Sequence, residues 1–258
     1  MGDKYLITAV IKALQTLKQF DENNKEMTLT ELSKKTGINK SGMLRILASL
    51  EHEGFIKFDD ETKKYRLGIQ IFNLGTNAYG FLDVKRICAP ILKEAAQESQ
   101  LLIHLAVIED NNVVCIDKIW PNEHLDITAL ASYIGGIIPI HCTGVGKILC
   151  AYASPDQLKS LVANCDFERH SERTITDKDV FLSILPQIRE QGFAFNDCEN
   201  EPYLRCLTRP VFNAKGECVA AVSLSGLKDV LSDQKLPFYH EISIKTVQRL
   251  NREFGYTK

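Results

Sequence analysis

Residues 28–67 read TLTELSKKTGINKSGMLRILASLEHEGFIKFDDETKKYRL, and the fold of the N-terminal region turns on them. Thr28 stands three residues ahead of Glu31, the spacing at which a cap hydroxyl and an acidic side chain satisfy each other's backbone N–H groups. Leu29 and Leu32 begin a short helix that Gly37 stops, since glycine takes the left-handed conformation of a helix end at little cost. Asn39 is a natural N-cap for a further helix over 40–53, with Met43, Ile46, Leu47 and Leu50 on its inner face. Two short helices joined through Gly37-Ile38-Asn39 form a helix-turn-helix. Residues 55–58, a polar turn over 59–62 and residues 63–67 then read as a β-hairpin, and the combination is a winged helix. Upstream, Tyr5, Leu6, Ala9, Val10, Ala13, Leu14, Leu17 and Phe20 recur at helical spacing, which predicts an amphipathic helix over 4–20.

Charge has to be read by region. The 258 residues hold 31 Lys/Arg and 33 Asp/Glu, a net charge of −2 that does not suggest a nucleic-acid partner. Between Lys34 and Arg45, however, Lys34, Lys35, Lys40 and Arg45 meet no acidic residue, and Lys63, Lys64 and Arg66 form a second cluster. Both fall on the two surfaces a winged helix offers a duplex, which raises nucleic-acid binding above a merely solvated basic face. Hydrophobic residues at 45% and charged residues at 25% describe a folded, soluble chain. No apolar run approaches the roughly 18 residues of a membrane span, so no membrane partner is expected. Asp3, Lys12, Gln15 and Lys18 break up the N-terminal stretch, so no signal peptide is expected there. The 8 cysteines are scattered with no CxxC pair, which excludes a zinc ribbon, argues against a disulfide scaffold and points to a reduced, cytoplasmic compartment.

The second half alternates helical and strand patterns. Helices are expected over 67–79, 82–99, 144–153, 155–162, 177–191 (capped by Thr176) and 236–255, and strands over 101–108, 113–120, 126–130, 192–197, 204–212 and 218–226. Residues 109–112 read as the turn of a hairpin. The fold class is therefore α+β, an N-terminal winged helix-turn-helix over 1–67, a linker helix over 68–80, and a domain over 81–258 with helices around a central sheet. Catalysis finds no support. HCTGVGKI (141–148) has His141 and Ile148 where a phosphate-binding loop needs glycine and Ser/Thr. His141 and Cys142 are adjacent and would diverge on an extended chain, and a metal site among His104, His141 and the cysteines is not favoured over simple burial. The expectation is a non-enzyme with no catalytic residue, metal or cofactor.

Binding is better supported. Thr143-Gly144-Val145-Gly146 opens a helix with two glycines, letting a small anion approach backbone N–H groups at the positive end of the helix dipole. Ser223 and Ser225 are two apart on a strand and share a face, with Val222 and Leu224 on the other.

In combination, LTELSKKTGINKSGMLRILASLEHEGFIKF, IPIHCTGVGKILCAYAS, RTITDKDV, IREQGFAFNDCENE and RCLTRPVFNAKGECVAAVSLSG resemble the IclR family of bacterial transcription regulators over nearly the whole chain. The resemblance implies that the third helix enters the major groove and that the C-terminal domain is a GAF-like effector-binding domain. It implies DNA contacts from Lys40, Ser41, Leu44, Arg45 and Ser49, with wing residues Lys63 and Lys64 neutralising phosphates. Arg45 suits a guanine, with a salt bridge to Glu51 as its alternative, whereas Lys40 and Ser41 suit phosphates. Gly42 and Leu44 depart from the family's usual residues, and Gly42 costs a helix about 1 kcal/mol against alanine. The resemblance further implies an effector pocket from Leu130, Ile138, Gly144, Val145, Asn196, Leu204, Cys206, Ser223 and Ser225, with Tyr203, where the family has a glycine, either narrowing it or shifting its chemistry. The expected partners are a palindromic double-stranded operator, a small organic acid effector, and further copies of the chain in a homodimer or dimer of dimers. The alternative is a small-molecule or redox-sensing module acting through protein partners.

Overall fold

A computed structural model describes residues 5–21, 23–79, 83–121 and 133–256. Contacts divide the chain into two compact units, Met1–Leu82 and Asp83–Lys258. The first unit runs α1 (Thr8–Leu17), β1 (Glu26–Met27), α2 (Leu29–Thr36), α3 (Lys40–His52), β2 (Ile56–Asp59), β3 (Lys64–Leu67) and α4 (Ile69–Tyr79). Its local signals act as read. Glu31 N–H donates to Thr28 Oγ1, Thr28 N–H donates to Glu31 Oε2 at 2.8 Å, and Gly37 ends α2 at φ 71°. Asn39 Oδ1 accepts from Gly42 N–H at 2.8 Å and starts α3. Leu32, Met43, Leu47, Ile56 and Tyr65 form the small core, and Glu51 ties α3 to the wing by accepting from Phe58 N–H.

Two details differ from expectation. The first helix is shorter than 4–20, and only Thr16 of it is fully buried, while Tyr5, Leu6, Ile7, Val10 and Leu14 stay exposed. A short strand, β1, joins the hairpin, pairing Glu26 with Arg66 and Met27 with Tyr65. On α4 the exposed residues are Ile69, Phe72 and Leu74.

The second unit runs α5 (Asp83–Ser99), β4 (Leu102–Glu109), β5 (Asn112–Ile119), α6 (Gly144–Tyr152), α7 (Pro155–Ala163), α8 (Lys178–Gln191), β6 (Ala194–Asp197), β7 (Leu204–Phe212), β8 (Cys218–Leu227) and α9 (Leu236–Glu253). Its strands form an antiparallel sheet in the order β5-β4-β8-β7-β6, with α6, α7 and α8 packed on one face and α5 and α9 on the other. Asp110 and Asn111, both at positive φ, make the β4–β5 turn. The strand expected over 126–130 lies outside the described residues. The cap of α8 is Asp177, not Thr176, because the carboxylate can accept from two amides at once, those of Asp179 and Val180.

α6 lies unusually close to its neighbours. A Cβ on Gly144 would stand 2.1 Å from Thr208 Oγ1 on β7, and one on Gly146 would stand 2.4 Å from Ile140 Cα. The second obstacle is backbone, which has no rotamer to yield. We expect Gly146→Ala to destabilise the C-terminal unit by about 3 kcal/mol, the upper range for overpacking. Urea unfolding followed by the fluorescence of Trp120, the sole tryptophan, reads this, and an unchanged midpoint would show that α6 can move away.

Candidate functional site

On the first unit, α3 turns Met43 and Leu47 inward and leaves Lys40, Ser41, Leu44, Arg45 and Ser49 exposed. Arg45 forms no ion pair among the described residues, and Glu51 is engaged by the Phe58 amide, so the alternative salt bridge is not made. Ser41 Oγ donates to Asn39 Oδ1 and Ser49 Oγ donates to the Arg45 carbonyl, which leaves each hydroxyl its acceptor lone pairs. A Cβ on Gly42 would stand 3.1 Å from Asn39 Oδ1, so the glycine leaves room for the cap that α3 needs and offsets part of its propensity cost. Lys63 pairs with Asp60 at 3.3 Å at the exposed wing tip, a contact worth little in water and readily exchanged. Lys64 sits half-buried at the start of β3, opposite Asp59.

On the second unit, a cavity of about 280 Å³ lies against the N-terminus of α6. Of the residues that the resemblance implies for an effector pocket, Ile138, Gly144, Val145, Asn196, Leu204, Cys206 and Ser223 line it. Ser225 lies one step behind, and Leu130 falls outside the described residues. The floor is a row across three strands, because register pairs His104 with Ser223 and Ser223 with Thr208. Thr208 Oγ1 donates to Ser223 Oγ at 2.9 Å, the two serine hydroxyls meet at 3.3 Å, and Ser225 Oγ lies 3.1 Å from His104 Nδ1. The serines are 3% and 2% exposed, so they do not face water. At the roof, Thr143 caps α6 by accepting from Gly146 N–H, leaving the Gly144 and Val145 N–H groups without an intrahelical acceptor.

A buried frame holds these walls. Lys147 Nζ meets both carboxylate oxygens of Glu199 at 2.5 Å, and the two residues are 3% and 9% exposed. Asn196 Nδ2 donates to the Cys142 carbonyl, and its Oδ1 accepts from Glu199 N–H. With both ends of its amide so used, Asn196 positions the wall, tying β6 to the turn before α6. Ser171 and Thr174 hydroxyls donate to the Glu199 carbonyl from the loop that carries His170.

Sequence reading missed His104, Thr143, His170, Asn200 and Glu201 as lining residues. The available signal was His104 itself, a polar residue in the apolar run LLIHLAVI at the parity that faces the serines. Tyr203, expected to narrow the pocket, does not line it among the described residues and is 37% exposed, because it precedes β7. His141 and Cys142 do not diverge either. The chain bends there instead of running extended, and a ring nitrogen of His141, Sγ of Cys142 and a ring nitrogen of His170 lie within 4.8 Å of one another.

Burial dominates the titration of this unit. It pushes the thiols of Cys88, Cys142, Cys150 and Cys218 up to about 12, and those of Cys115 and Cys206 to about 11. These thiols stay protonated near neutrality, an inert state for redox chemistry. Burial, aided by the charge of Lys118, pushes His104 down to about 3.

A winged helix with basic residues on α3, and a separate unit enclosing a cavity, together have the form of a DNA-binding regulator with an effector-binding domain. Family profiles agree. The IclR helix-turn-helix domain matches residues 9–60, and the family described as bacterial transcriptional regulator IclR C-terminal matches residues 76–252. The chain belongs to the IclR family of transcriptional regulators, with a helix-turn-helix DNA-binding domain and an effector-binding domain. It is similar to the HTH-type transcriptional regulator XynR of Escherichia coli (strain K12), 32% identical over 252 residues that span 97% of this chain and 98% of that protein. It is 30% identical to KdgR of the same organism, over 97% and 94% of the two chains. An IclR homologue from Microbacterium hydrocarbonoxydans, complexed with 4-hydroxybenzoate, shares the fold at a TM-score of 0.79 and 18% identity, over 95% of this chain and 100% of that one. The relatives are named as regulators and not as enzymes. Among the described residues, no helix is long and apolar enough to cross a membrane.

The depressed His104 makes a signed prediction. In the unfolded chain this imidazole takes up a proton near its ordinary pKa of 6.5, whereas in the fold it stays neutral down to about 3. Stability is therefore fully present above pH 6.5 and is lost as pH falls through that window. Between pH 7 and pH 5 the wild type should lose about 2 kcal/mol more than His104→Asn, measured by urea unfolding at both pH values. Equal losses would mean that His104 is protonated in the folded protein.

Proposed function

We propose that this protein binds a palindromic operator as a homodimer or dimer of dimers in the cytoplasm, and that a small organic acid in the α6 cavity changes its DNA affinity. The observation that carries the ligand reading is the convergence of two unpaired helix-start N–H groups and the Ser223 hydroxyl on one cavity with an apolar side of Ile138, Val145 and Leu204. Donors of this kind suit a carboxylate, and neutral dipoles stabilise it without a buried counter-cation. The relative holding 4-hydroxybenzoate supports a small acid. The donors by themselves fit a simple carboxylate. Glu201 and Asn200 also line the cavity and offer acceptors, so acids bearing hydroxyl groups fit equally well. The redox alternative is disfavoured by the raised thiols.

For DNA, Arg45 is the base-reading residue and Leu44, 52% exposed, is positioned for a thymine methyl group. Lys40, Ser41, Ser49, Lys63 and Lys64 serve the backbone. Arg45→Ala should cost about 1–3 kcal/mol on the protein's own upstream DNA and relax preference at one base pair. Lys40→Ala should weaken all sequences alike and reduce the salt slope by about one unit. Gel shifts with specific and random duplexes separate the two, and an unchanged specific-to-random ratio for Arg45→Ala would remove it from the reading role.

One winged helix spans only a few base pairs, so selectivity calls for two half-sites. The exposed apolar residues of α1 and its approach, Tyr5, Leu6, Ile7, Val10 and Leu14, with Ile69, Phe72 and Leu74 of α4, are the surfaces expected to pair. Light scattering at micromolar concentration should return a multiple of 29.1 kDa, and a monomer would overturn the assembly.

A further inference from the structure

Next to the ligand cavity, residues 141, 142 and 170 bring two imidazoles and a thiol together, an arrangement that neither DNA binding nor acid recognition uses. A ring nitrogen of His141, Sγ of Cys142 and a ring nitrogen of His170 lie within 4.8 Å of one another. Rotation of the exposed His170 ring would bring three such atoms to the spacing of one ion at the 2.0–2.3 Å bond lengths typical of zinc. His141 and Cys142 are fully buried, whereas the His170 ring is exposed and also lines the cavity, so the group has a door to solvent.

The surroundings prepare the ligands. His141 Nε2 donates to the Glu168 carbonyl at 2.8 Å, the kind of outer contact that fixes ring orientation in metal sites and makes Nδ1 the acceptor nitrogen, which a metal ion would have to take over from the Cys165 thiol. That nitrogen, Nδ1, lies 3.3 Å from Cys165 Sγ, a second thiol on the same ring. The His170 backbone is pinned. Its N–H and that of Ser171 both donate to Thr174 Oγ1, while Thr174 and Ser171 donate to the Glu199 carbonyl. The His170 ring stands 5.8 Å from the His141 ring and forms no hydrogen bond among the described residues. Cys142 Sγ donates to Asn200 Oδ1 at 3.3 Å, and that amide can turn to offer N–H to a thiolate.

We propose that His141, Cys142 and His170 bind a divalent zinc-class ion beside the cavity, with the fourth tetrahedral position open on the His170 side. One thiolate with two imidazoles favours zinc over magnesium or calcium, which take oxygen ligands. On binding, the Cys142 thiol releases its proton to water and its sulfur lone pair enters the metal bond. The site stands independently of the acid-binding reading.

The test uses full-length protein stripped of metal with a chelator, then titrated with Zn²⁺ in competition with a chromophoric chelator. One ion per chain is expected. His170→Ala removes an exposed ring without touching the core, and its unfolding midpoint without metal should match the wild type. Its affinity should fall by about ten-fold or more. Co²⁺ in place of zinc should give a thiolate-to-cobalt charge-transfer band that Cys142→Ser abolishes. Failure of the wild type to compete with the chelator, or full affinity in His170→Ala, would overturn the site.

Discussion

The first turn of α6 has no room for side chains at its two glycines. Gly144 meets Thr208 on β7 and Gly146 meets the backbone of Ile140 in the segment before the helix, so the helix start is held close to the sheet on one side and to its own approach on the other. Everything at the cavity follows from that approach. It brings the unpaired N–H groups of Gly144 and Val145 to the same space as the hydroxyl row of Thr208, Ser223 and Ser225. It also carries Lys147 into the interior, where Glu199 must meet it. Buried ion pairs of this sort add little net stability, but losing either partner costs about 3–5 kcal/mol. The pair is better understood as a registry device that fixes the loop bearing Glu199, Asn200 and Glu201 opposite the helix start.

The two functional surfaces solve opposite electrostatic problems. On α3 the charges of Lys40 and Arg45 stay in water, and on the wing Lys63 is exposed and Lys64 half-buried, which suits the proposed exchange of counterions for phosphates. In the cavity, the floor and the helix start carry no charge, and the acidic lining residue, Glu201, comes from the loop opposite. His104 is held neutral by burial, and the donors are amides and hydroxyls. The proposed acid would be stabilised there by fixed dipoles, which favour ligands that match the donor geometry over ions in general.

Much of this was legible in the sequence because local rules govern it. The Thr28–Glu31 box, Gly37, the Asn39 cap and the Met43–Leu47 face are short-range signals, and each appears in the fold where it was read. The TGVG turn and the paired serines were legible for the same reason. What escaped was set by register or by a bend. His104 joins the floor only because β4 pairs with β8 in the register that opposes it to Ser223. His141 and Cys142 converge on His170 because a loop held by Thr174 returns to them, which adjacency in sequence could not reveal. Tyr203 lies on the exposed approach to β7 and does not reach the cavity, a matter of where the strand begins that the resemblance does not carry.

The central claim is that occupancy of the α6 cavity and DNA affinity are coupled, and coupling requires a ligand that binds the two states of the protein unequally. The most direct measurement is fluorescence anisotropy of the protein's own upstream DNA, titrated with and without saturating acid. 4-Hydroxybenzoate and a set of small hydroxy acids serve as probes, each first scored by thermal shift. The account predicts that the acid giving the largest shift changes the DNA Kd by about 5–150-fold, the usual range of allosteric coupling. A strong thermal shift with an unchanged DNA Kd for every such acid would contradict it.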